Sequence, residues 1–170
     1  TNYASDTTGV TARNTVLGSK FDQFFTKKSY WYVSEDLLTD EFQDLDLRST
    51  TGAGIAYQFM DTDTLTLTGE IGAAYVTEDF IVNPNDTNTS ARAAGELKWT
   101  IGTAVILDKL EILPSLEDDS YLLRNEATLT NKLGAGWSLK LSNIVQHDSD
   151  PVAGVKKTDV TWIVALQFAF

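Results

Sequence analysis

The stretch Lys157-Thr-Asp-Val-Thr-Trp-Ile-Val-Ala-Leu-Gln-Phe-Ala-Phe170 closes the chain and decides its fold. Large apolar side chains recur at every second position from Val160 to Phe170, and small or polar ones alternate with them apart from Ile163. Successive side chains point to opposite faces of a β-strand, so this segment has one large apolar face and one smaller, more polar face. The pattern predicts a strand that places one face in an apolar environment.

Eight more segments show strand periodicity, and no stretch of helical periodicity competes with them. The nine predicted strands span residues 9–25, 29–38, 45–59, 63–77, 90–101, 103–114, 119–133, 136–147 and 157–170. Tight connectors at residues 25–29, 60–63, 101–103 and 133–136 alternate with longer ones at 39–44, 77–89, 115–119 and 148–156. Short periplasmic turns, longer external loops and a last strand ending in Phe are typical of outer-membrane barrels. The sequence predicts an all-β, antiparallel, up-and-down transmembrane β-barrel of about ten strands.

Length and strand count bound the domain organisation. A chain of 170 residues is expected to form a single domain, residues 1–170. Bacterial single-chain barrels usually close with an even number of strands, so a count of nine suggests that N-terminal strands are lacking or that the first long segment is two strands. No signal peptide is visible at Thr1, which fits a mature or truncated chain.

The polar faces of the predicted strands carry charges of both signs among small residues. These inward candidates are Arg48, Glu70, Arg92, Glu96, Lys98, Arg124, Glu126 and Lys140. Unpaired charges are expensive in a narrow, poorly hydrated space, so we expect these residues to pair with one another across the lumen. A barrel of about ten strands is filled by its own side chains, which predicts a narrow lumen and excludes a wide pore.

Aromatic residues form two predicted girdles at the membrane interfaces. One girdle, at the periplasmic ends, contains Tyr57, Phe59, Trp99, Trp137, Phe168 and Phe170, and the other, toward the outside, contains Tyr75, Tyr121 and Trp162. Aromatic girdles that flank an apolar band mark the two water–lipid boundaries of a bilayer. With Phe170 on the periplasmic side, every long connector lies outside the cell.

Composition excludes several classes of protein. The net charge of −11 argues against nucleic acid as a partner, because binding it requires clustered Lys and Arg. The chain has no cysteine, which rules out disulfides and cysteine-based zinc sites. No apolar run approaches the roughly 18 residues that a transmembrane helix needs.

Two segments resist a simple assignment of faces. Asp108 lies on the apolar side of its strand, and a carboxylate facing mid-bilayer lipid is costly, so we expect a β-bulge or a shifted parity there. Residues 30–37 show no clean apolar face, and their outward side is left unassigned.

Three segments together resemble one family. They are Asp40-Glu-Phe-Gln-Asp-Leu-Asp-Leu-Arg-Ser-Thr-Thr-Gly-Ala-Gly-Ile-Ala-Tyr-Gln-Phe59, Thr66-Leu-Thr-Gly-Glu-Ile-Gly-Ala-Ala-Tyr75 with Glu78-Asp-Phe80, and Asp150-Pro-Val-Ala-Gly-Val-Lys-Lys-Thr-Asp159. With the turn at Ser115-Leu-Glu-Asp-Asp119, their order and spacing resemble the salt-induced outer membrane proteins of Gram-negative bacteria, a family of unknown function. The resemblance implies an outer-membrane β-barrel and supplies no catalytic residues. Members of the family are longer at the N-terminus, which fits missing early strands.

Little in the sequence points to catalysis or to a cofactor. His147 is the only histidine, and with a loop carboxylate such as Asp148 or Asp150 it could activate water, which leaves an outer-membrane hydrolase as an alternative. No nucleophile motif surrounds it, so we predict no catalytic residues and no cofactor. Oxygen ligands suit Ca²⁺ or Mg²⁺, and Asp118, Asp119, Asp148 and Asp150 are candidates for a weak site, with a solvated acidic rim as the simpler interpretation.

These patterns predict a protein of the outer membrane of a Gram-negative bacterium with a structural or envelope and salt-stress role. Its expected partners are outer-membrane lipid, lipopolysaccharide and, through the C-terminal strand, the barrel-assembly machinery; nucleic acid is not among them. A soluble, lipocalin-like barrel that binds a small ligand remains a further alternative, because it shares the period of two but turns its apolar residues inward.

Overall fold

A computed structural model describes residues 2–6, 9–40, 45–151 and 154–169, with side chains from Thr15 onward. It contains ten strands, β1 (Asn2–Asp6), β2 (Gly9–Phe24), β3 (Ser29–Asp40), β4 (Leu45–Asp61), β5 (Leu65–Phe80), β6 (Asp86–Ile101), β7 (Ala104–Pro114), β8 (Tyr121–Gly134), β9 (Trp137–Asp148) and β10 (Thr158–Phe168). The described residues include no helix long and apolar enough to cross a membrane.

The strands form one sheet in which each is hydrogen-bonded to its neighbours in the sequence, in the order β1 to β10. Every pairing is antiparallel, which confirms the predicted all-β, up-and-down architecture. Two of the tight turns use residues with positive φ, Gly102 in one and Gly134, Ala135 and Gly136 in the other. Glycine adopts this conformation without steric cost, which is why the chain can reverse there within two residues.

The sheet curls so that side chains of distant strands meet. The Arg48 guanidinium on β4 lies 3.5 Å from the Asp148 carboxylate on β9. In a flat sheet these strands would be five spacings apart, about 24 Å, so the contact requires strong curvature toward this face. We call this concave side the inner face and the opposite side the outer face. Within the described residues, no ladder joins β1 to β10.

The faces separate by polarity in the predicted sense. On β10, Val160, Trp162, Val164 and Leu166 are all more than half exposed on the outer face. The structure also assigns the faces of residues 30–37 on β3, which the sequence left open. Tyr30 and Tyr32 are buried on the inner face, while Trp31 and Val33 are exposed on the outer face. Mixed polarity hid this assignment, because two tyrosines point inward and a tryptophan and a valine point outward.

Three sequence-based expectations need correction. The predicted bulge or parity shift at Asp108 is wrong, because β7 pairs with β6 and β8 without a register shift and Asp108 faces outward. Alternation along residues 45–59 puts Leu45 on the same outer face as Ile55, but Leu45 is 1% exposed among inner residues because the register shifts between Leu45 and Leu47. The long connector expected at residues 77–89 is mostly strand, since β5 and β6 pair as far as Glu78 and Asp86.

Strand β1 was missed by the sequence analysis. It has five residues, Asn-Tyr-Ala-Ser-Asp, with one large apolar side chain among them. A segment this short and polar shows no alternation of apolar and polar residues, so its sequence does not predict a strand.

Two facing glycines allow the inner face to hold a buried tyrosine. Gly54 on β4 and Gly72 on β5 are register partners. A Cβ on Gly54 would lie 2.2 Å from the Ile71 carbonyl oxygen and 2.6 Å from the Tyr32 hydroxyl. The two missing side chains therefore make the space that the Tyr32 ring occupies from the neighbouring strand.

This close approach predicts that alanine substitutions at two glycines will differ in their effect on stability. Gly54→Ala should lower the free energy of unfolding by on the order of 1–3 kcal/mol, because the methyl group has no room beside backbone atoms. Gly95→Ala is the matched control, since its Cβ would meet only the Thr68 carbonyl oxygen at 3.7 Å. Urea unfolding of the folded protein measures both variants; equal midpoints would contradict the packing described above.

Candidate functional site

The centre of the inner face is an ion pair between neighbouring strands. Arg92 Nη1 on β6 donates to Glu70 Oε2 on β5 at 2.8 Å, and both side chains are only 10% exposed. Arg92 Nε also donates to Glu111 Oε1 on β7 at 2.5 Å. Glu70 accepts two more hydrogen bonds, from the Tyr30 hydroxyl at 2.9 Å and from the Lys20 ammonium. One carboxylate and one guanidinium thus connect five strands.

Small residues and aromatic rings create the space for this pair. Arg92 is the register partner of Gly72, and a Cβ on Gly52 would lie 3.5 Å from Arg92 Cδ. The Arg92 guanidinium carbon lies 4.8 Å from the centre of the Tyr32 ring, and Lys20 Nζ lies 5.0 Å from the same ring. Cations stack favourably on aromatic faces, so Tyr32 stabilises both charges on the concave side.

A second group lies nearer the end of the sheet that carries the longer connectors. Arg48 on β4 bonds to Glu78 on β5, and its Nη2 also donates to Asp148 Oδ2 on β9 at 3.5 Å. The Arg48 side chain is 15% exposed and that of Glu78 16% exposed. This group therefore links the two sides of the curled sheet.

The remaining predicted inward charges lie on the same face with weaker or no pairing. Arg124 Nη2 is 3.5 Å from Glu126 Oε2, and Lys109 Nζ is 3.4 Å from Glu96 Oε2. The second pair is about half exposed, and exposed ion pairs contribute about 0–1 kcal/mol. Among the described residues no ion pair joins Lys98 or Lys140 to a carboxylate, and both line a cavity of about 380 Å³ beside Glu96.

A larger cavity of about 490 Å³ runs along the inner face above these groups. Its lining combines acidic and basic side chains, including Asp36, Arg48, Glu70, Arg92, Glu111 and Arg124. Several of these side chains are held in the ion pairs described above. The inner face is therefore a charged cavity lined in part by salt-bridged side chains.

Several members of this network were missed by the sequence analysis. Glu111 was overlooked because a bulge or shift was expected in β7 near Asp108. Uninterrupted alternation along this strand places Glu111 on the inner face, as in the structure. Lys20 lies on β2, whose faces were not assigned, and Tyr30 lies in the segment with no clean face. Glu78 was missed because residues 77–89 were predicted to be a connector, whereas β5 and β6 pair as far as Glu78 and Asp86.

His147 does not pair with a neighbouring carboxylate in the described contacts. Its Nδ1 is 2.7 Å from the Thr158 hydroxyl, and its ring centre is 5.4 Å from that of Tyr121. The next residue, Asp148, points to the inner face and bonds to Arg48. Adjacent residues on a strand face opposite ways, so the sequence neighbours His147 and Asp148 are separated by the sheet itself.

The four aspartates predicted as a weak cation site are not assembled into one. Among the described residues, no three His, Asp or Glu side chains are grouped to hold a metal ion. Asp118 Oδ1 accepts the Ser120 amide at 2.9 Å, and Asp148 Oδ1 accepts the Asp150 amide at 3.0 Å. Hydrogen bonds from Ser120 and Ser115 lower the pKa of the Asp118 carboxyl from its ordinary value. Two of the four carboxylates thus bond to backbone amides close in sequence.

The predicted girdle aromatics are exposed on the outer face or at its edges. Their exposed fractions run from 37% for Tyr121 to 74% for Trp162. Tyr57 packs against Phe59 with ring centres 5.2 Å apart, and Trp137 against Phe168 at 4.9 Å. The remaining members that the structure describes are Tyr75 and Trp99. Phe170 lies outside the described residues.

These features define a curled, antiparallel, barrel-like β-sheet protein with a charged inner face and an apolar outer face. The chain belongs to the family described as protein of unknown function DUF481, whose sequence profile matches residues 1–170. No curated protein matches the chain.

The Glu70–Arg92 ion pair predicts that replacing two inner-face glutamates will change the stability of the protein by different amounts. Glu70→Gln should lower the free energy of unfolding by on the order of 2–3 kcal/mol, because it leaves Arg92 and Lys20 without their shared counter-charge in a buried setting. Glu96→Gln should cost much less, since the ion pair that Glu96 makes with Lys109 is about half exposed. Denaturant midpoints for both variants check this; a larger loss in the Glu96 variant would show that the Glu70 network is not what holds the inner face.

Proposed function

We propose that this chain forms the wall of an outer-membrane β-barrel of a Gram-negative bacterium, with a structural or envelope and salt-stress role. The observation that carries the proposal is the inverted polarity of the sheet. Its concave side holds the Glu70–Arg92 pair, whereas its convex side exposes large apolar residues such as Ile71 and Val164. A soluble ligand-binding barrel requires the opposite distribution.

The extent of the exposed apolar surface supports a lipid environment. Large apolar side chains on β2, β3, β4, β5, β8, β9 and β10 are exposed on the outer face. Soluble monomers rarely expose contiguous apolar patches larger than a few hundred Å². Lipid tails would cover such a surface at no cost, so a bilayer is the environment in which this sheet is stable.

Strand lengths and aromatic positions also suit a bilayer. Strands β7 and β10 have 11 residues each, and a tilted transmembrane strand needs about 9–11. Trp137 and Phe168 lie at the end of the sheet with the tight turns, and Tyr121 lies at the other end. Aromatic residues at both ends of an apolar band are characteristic of transmembrane barrels.

The same arrangement suggests partners and orientation. At one end of the sheet the connectors between strands are long, as at residues 115–120 and 149–157. At the opposite end they are as short as two residues, as at 102–103 and 135–136. Longer loops face outward in outer-membrane barrels, where they would meet lipopolysaccharide. The C-terminal strand, with its alternating apolar face, is the segment we expect the barrel-assembly machinery to engage.

The interior favours a structural role over transport or catalysis. The ion pair between β4 and β9 crosses the concave side, and with the Glu70–Arg92 pair it lines a cavity of about 490 Å³, which is too small for a wide pore. The hydrolase alternative needs His147 beside a carboxylate, and the described contacts of that ring are with Thr158 and Tyr121. We therefore propose a non-enzymatic protein with no cofactor.

Membrane insertion predicts different costs for the same substitution at two exposed valines. Val164 on β10 is 72% exposed, and Val82 in the connector between β5 and β6 is 84% exposed. Val164→Arg should lower stability in a bilayer by about 2–4 kcal/mol, because it places a charge in the lipid-facing band. Val82→Arg should cost little, since that connector lies in water.

Urea unfolding in lipid vesicles, with heat-modifiable gel migration as the test of folding, measures both variants. In a water-soluble fold both valines would be surface positions, and both substitutions would be nearly neutral. Equal small effects, in a protein that stays folded without detergent, would contradict the membrane proposal.

The paired interior predicts little or no steady conductance in planar-bilayer recordings. The reason is that the inner cavity is only about 490 Å³ and is lined by salt-bridged side chains such as Arg48 and Arg92. Arg92→Glu should reduce stability without producing a selective current. A stable current of porin size in the unaltered protein, with an ion selectivity that changes in Arg92→Glu, would show an open lumen and make transport the function.

A further inference from the structure

The outer face carries a polar cluster on β7, β8 and β9 in the middle of its apolar band. Asp108 on β7, Asn125 on β8 and Asn143 on β9 all point outward, as their register partners show. Each lies near the middle of its strand, with apolar outer residues such as Ile106 and Leu141 on one side and Leu110 and Val145 on the other. We call these three residues the outer polar cluster.

The hydrogen bonds of this cluster are incomplete. Asn125 Nδ2 donates to Asp108 Oδ1 at 2.8 Å and to the Lys109 carbonyl oxygen at 3.1 Å, which uses both of its donors. In the part of the chain that the structure describes, no hydrogen bond reaches the second oxygen of Asp108 or the side-chain amide of Asn143. Polar groups without partners are costly in hydrocarbon, so this cluster is unfavourable against lipid tails.

The geometry of the cluster is self-complementary. Asp108 and Asn143 are both register partners of Ala127, one on each side. They therefore lie at one level of the sheet, two strand spacings or about 10 Å apart, with a small residue between them. A two-fold axis along the membrane normal, passing in front of Ala127, would bring the Asp108 side of one copy against the Asn143 side of a second copy.

We propose that the outer polar cluster is the contact through which two copies of this chain associate in the membrane. Asp108 is an acceptor and Asn143 Nδ2 a donor, so the two-fold contact makes two equivalent hydrogen bonds between copies. Lipid headgroups lie at the wrong depth to make them, because the cluster is in the middle of the band. The side chain of Ala127 is short enough to let the two sheets approach. This inference rests on the proposed membrane location.

Single cysteines test the contact directly, because the chain has none of its own. The full chain carrying Ala127→Cys is folded into lipid vesicles, oxidised and run on a non-reducing gel. We expect most of it to form a disulfide-linked dimer. Ala73→Cys, which is exposed on the outer face of β5, is the matched control and should remain mainly monomeric.

The polar residues are then removed in the Ala127→Cys background. Asp108→Leu with Asn143→Leu should reduce the dimer at least fivefold while the barrel stays folded by gel migration. Asn131→Leu is the matched control on β8, since this outward amide lies near the tight turn and accepts the Thr103 hydroxyl at 2.9 Å. It should leave the dimer unchanged.

The outcomes separate this inference from the membrane proposal. If the chain inserts and folds in vesicles but Ala127→Cys gives no more dimer than Ala73→Cys, the association is wrong and the membrane location stands. A dimer that persists when both Asp108 and Asn143 are leucine would also overturn the inference. If the chain stays folded in water without entering vesicles, both proposals fail.

Discussion

The buried ion pair between Glu70 and Arg92 is the interaction on which the rest of the inner face depends. Two opposite charges, each 10% exposed, are stable there only if their other hydrogen-bonding groups are also satisfied. Tyr30, Lys20 and Glu111 do this from β3, β2 and β7. The pair therefore requires the sheet to curl, because partners from non-adjacent strands reach one carboxylate only when the concave side brings them together.

The glycines and the apolar outer face follow from that requirement. Tyr32 supports Arg92 and Lys20, and its hydroxyl fits only because Gly54 and Gly72 lack side chains. Placing the bulky charged and aromatic groups inside leaves the large aliphatic residues on the convex side. The separation of charged residues on the inner face from apolar residues on the outer face therefore leaves an outer surface that water solvates poorly. In this way the packing of the interior is linked to the proposed lipid environment of the exterior.

Much of the fold could be predicted from the sequence, and particular residues show where prediction ended. Alternation on β10 and β5 placed Val164 and Glu70 on opposite faces, as in the structure. It failed at Leu45, because a register shift next to Asp46 turns Leu45 to the inner face instead of the outer face. Nothing in the residue types marks this shift. At Asp108 an expected energetic penalty was given more weight than an uninterrupted alternation, and the alternation was correct. At the expected cation site the described residues contain no group of three acidic or histidine side chains, and the Asp118 and Asp148 carboxylates accept backbone amides close in sequence.

The sequence by itself determined which side of strands such as β5, β8 and β10 is polar, because a period of two is a local property of the backbone and needs no knowledge of neighbours. It also determined the order of the strands, since short connectors leave antiparallel neighbours as the simplest arrangement. Only the tertiary structure decided which charges meet. Arg48 reaches Asp148 across five strand spacings through the curvature of the sheet. The face of a residue is thus set by its own strand, whereas its partner is set by register and curl, which depend on the whole sheet at once.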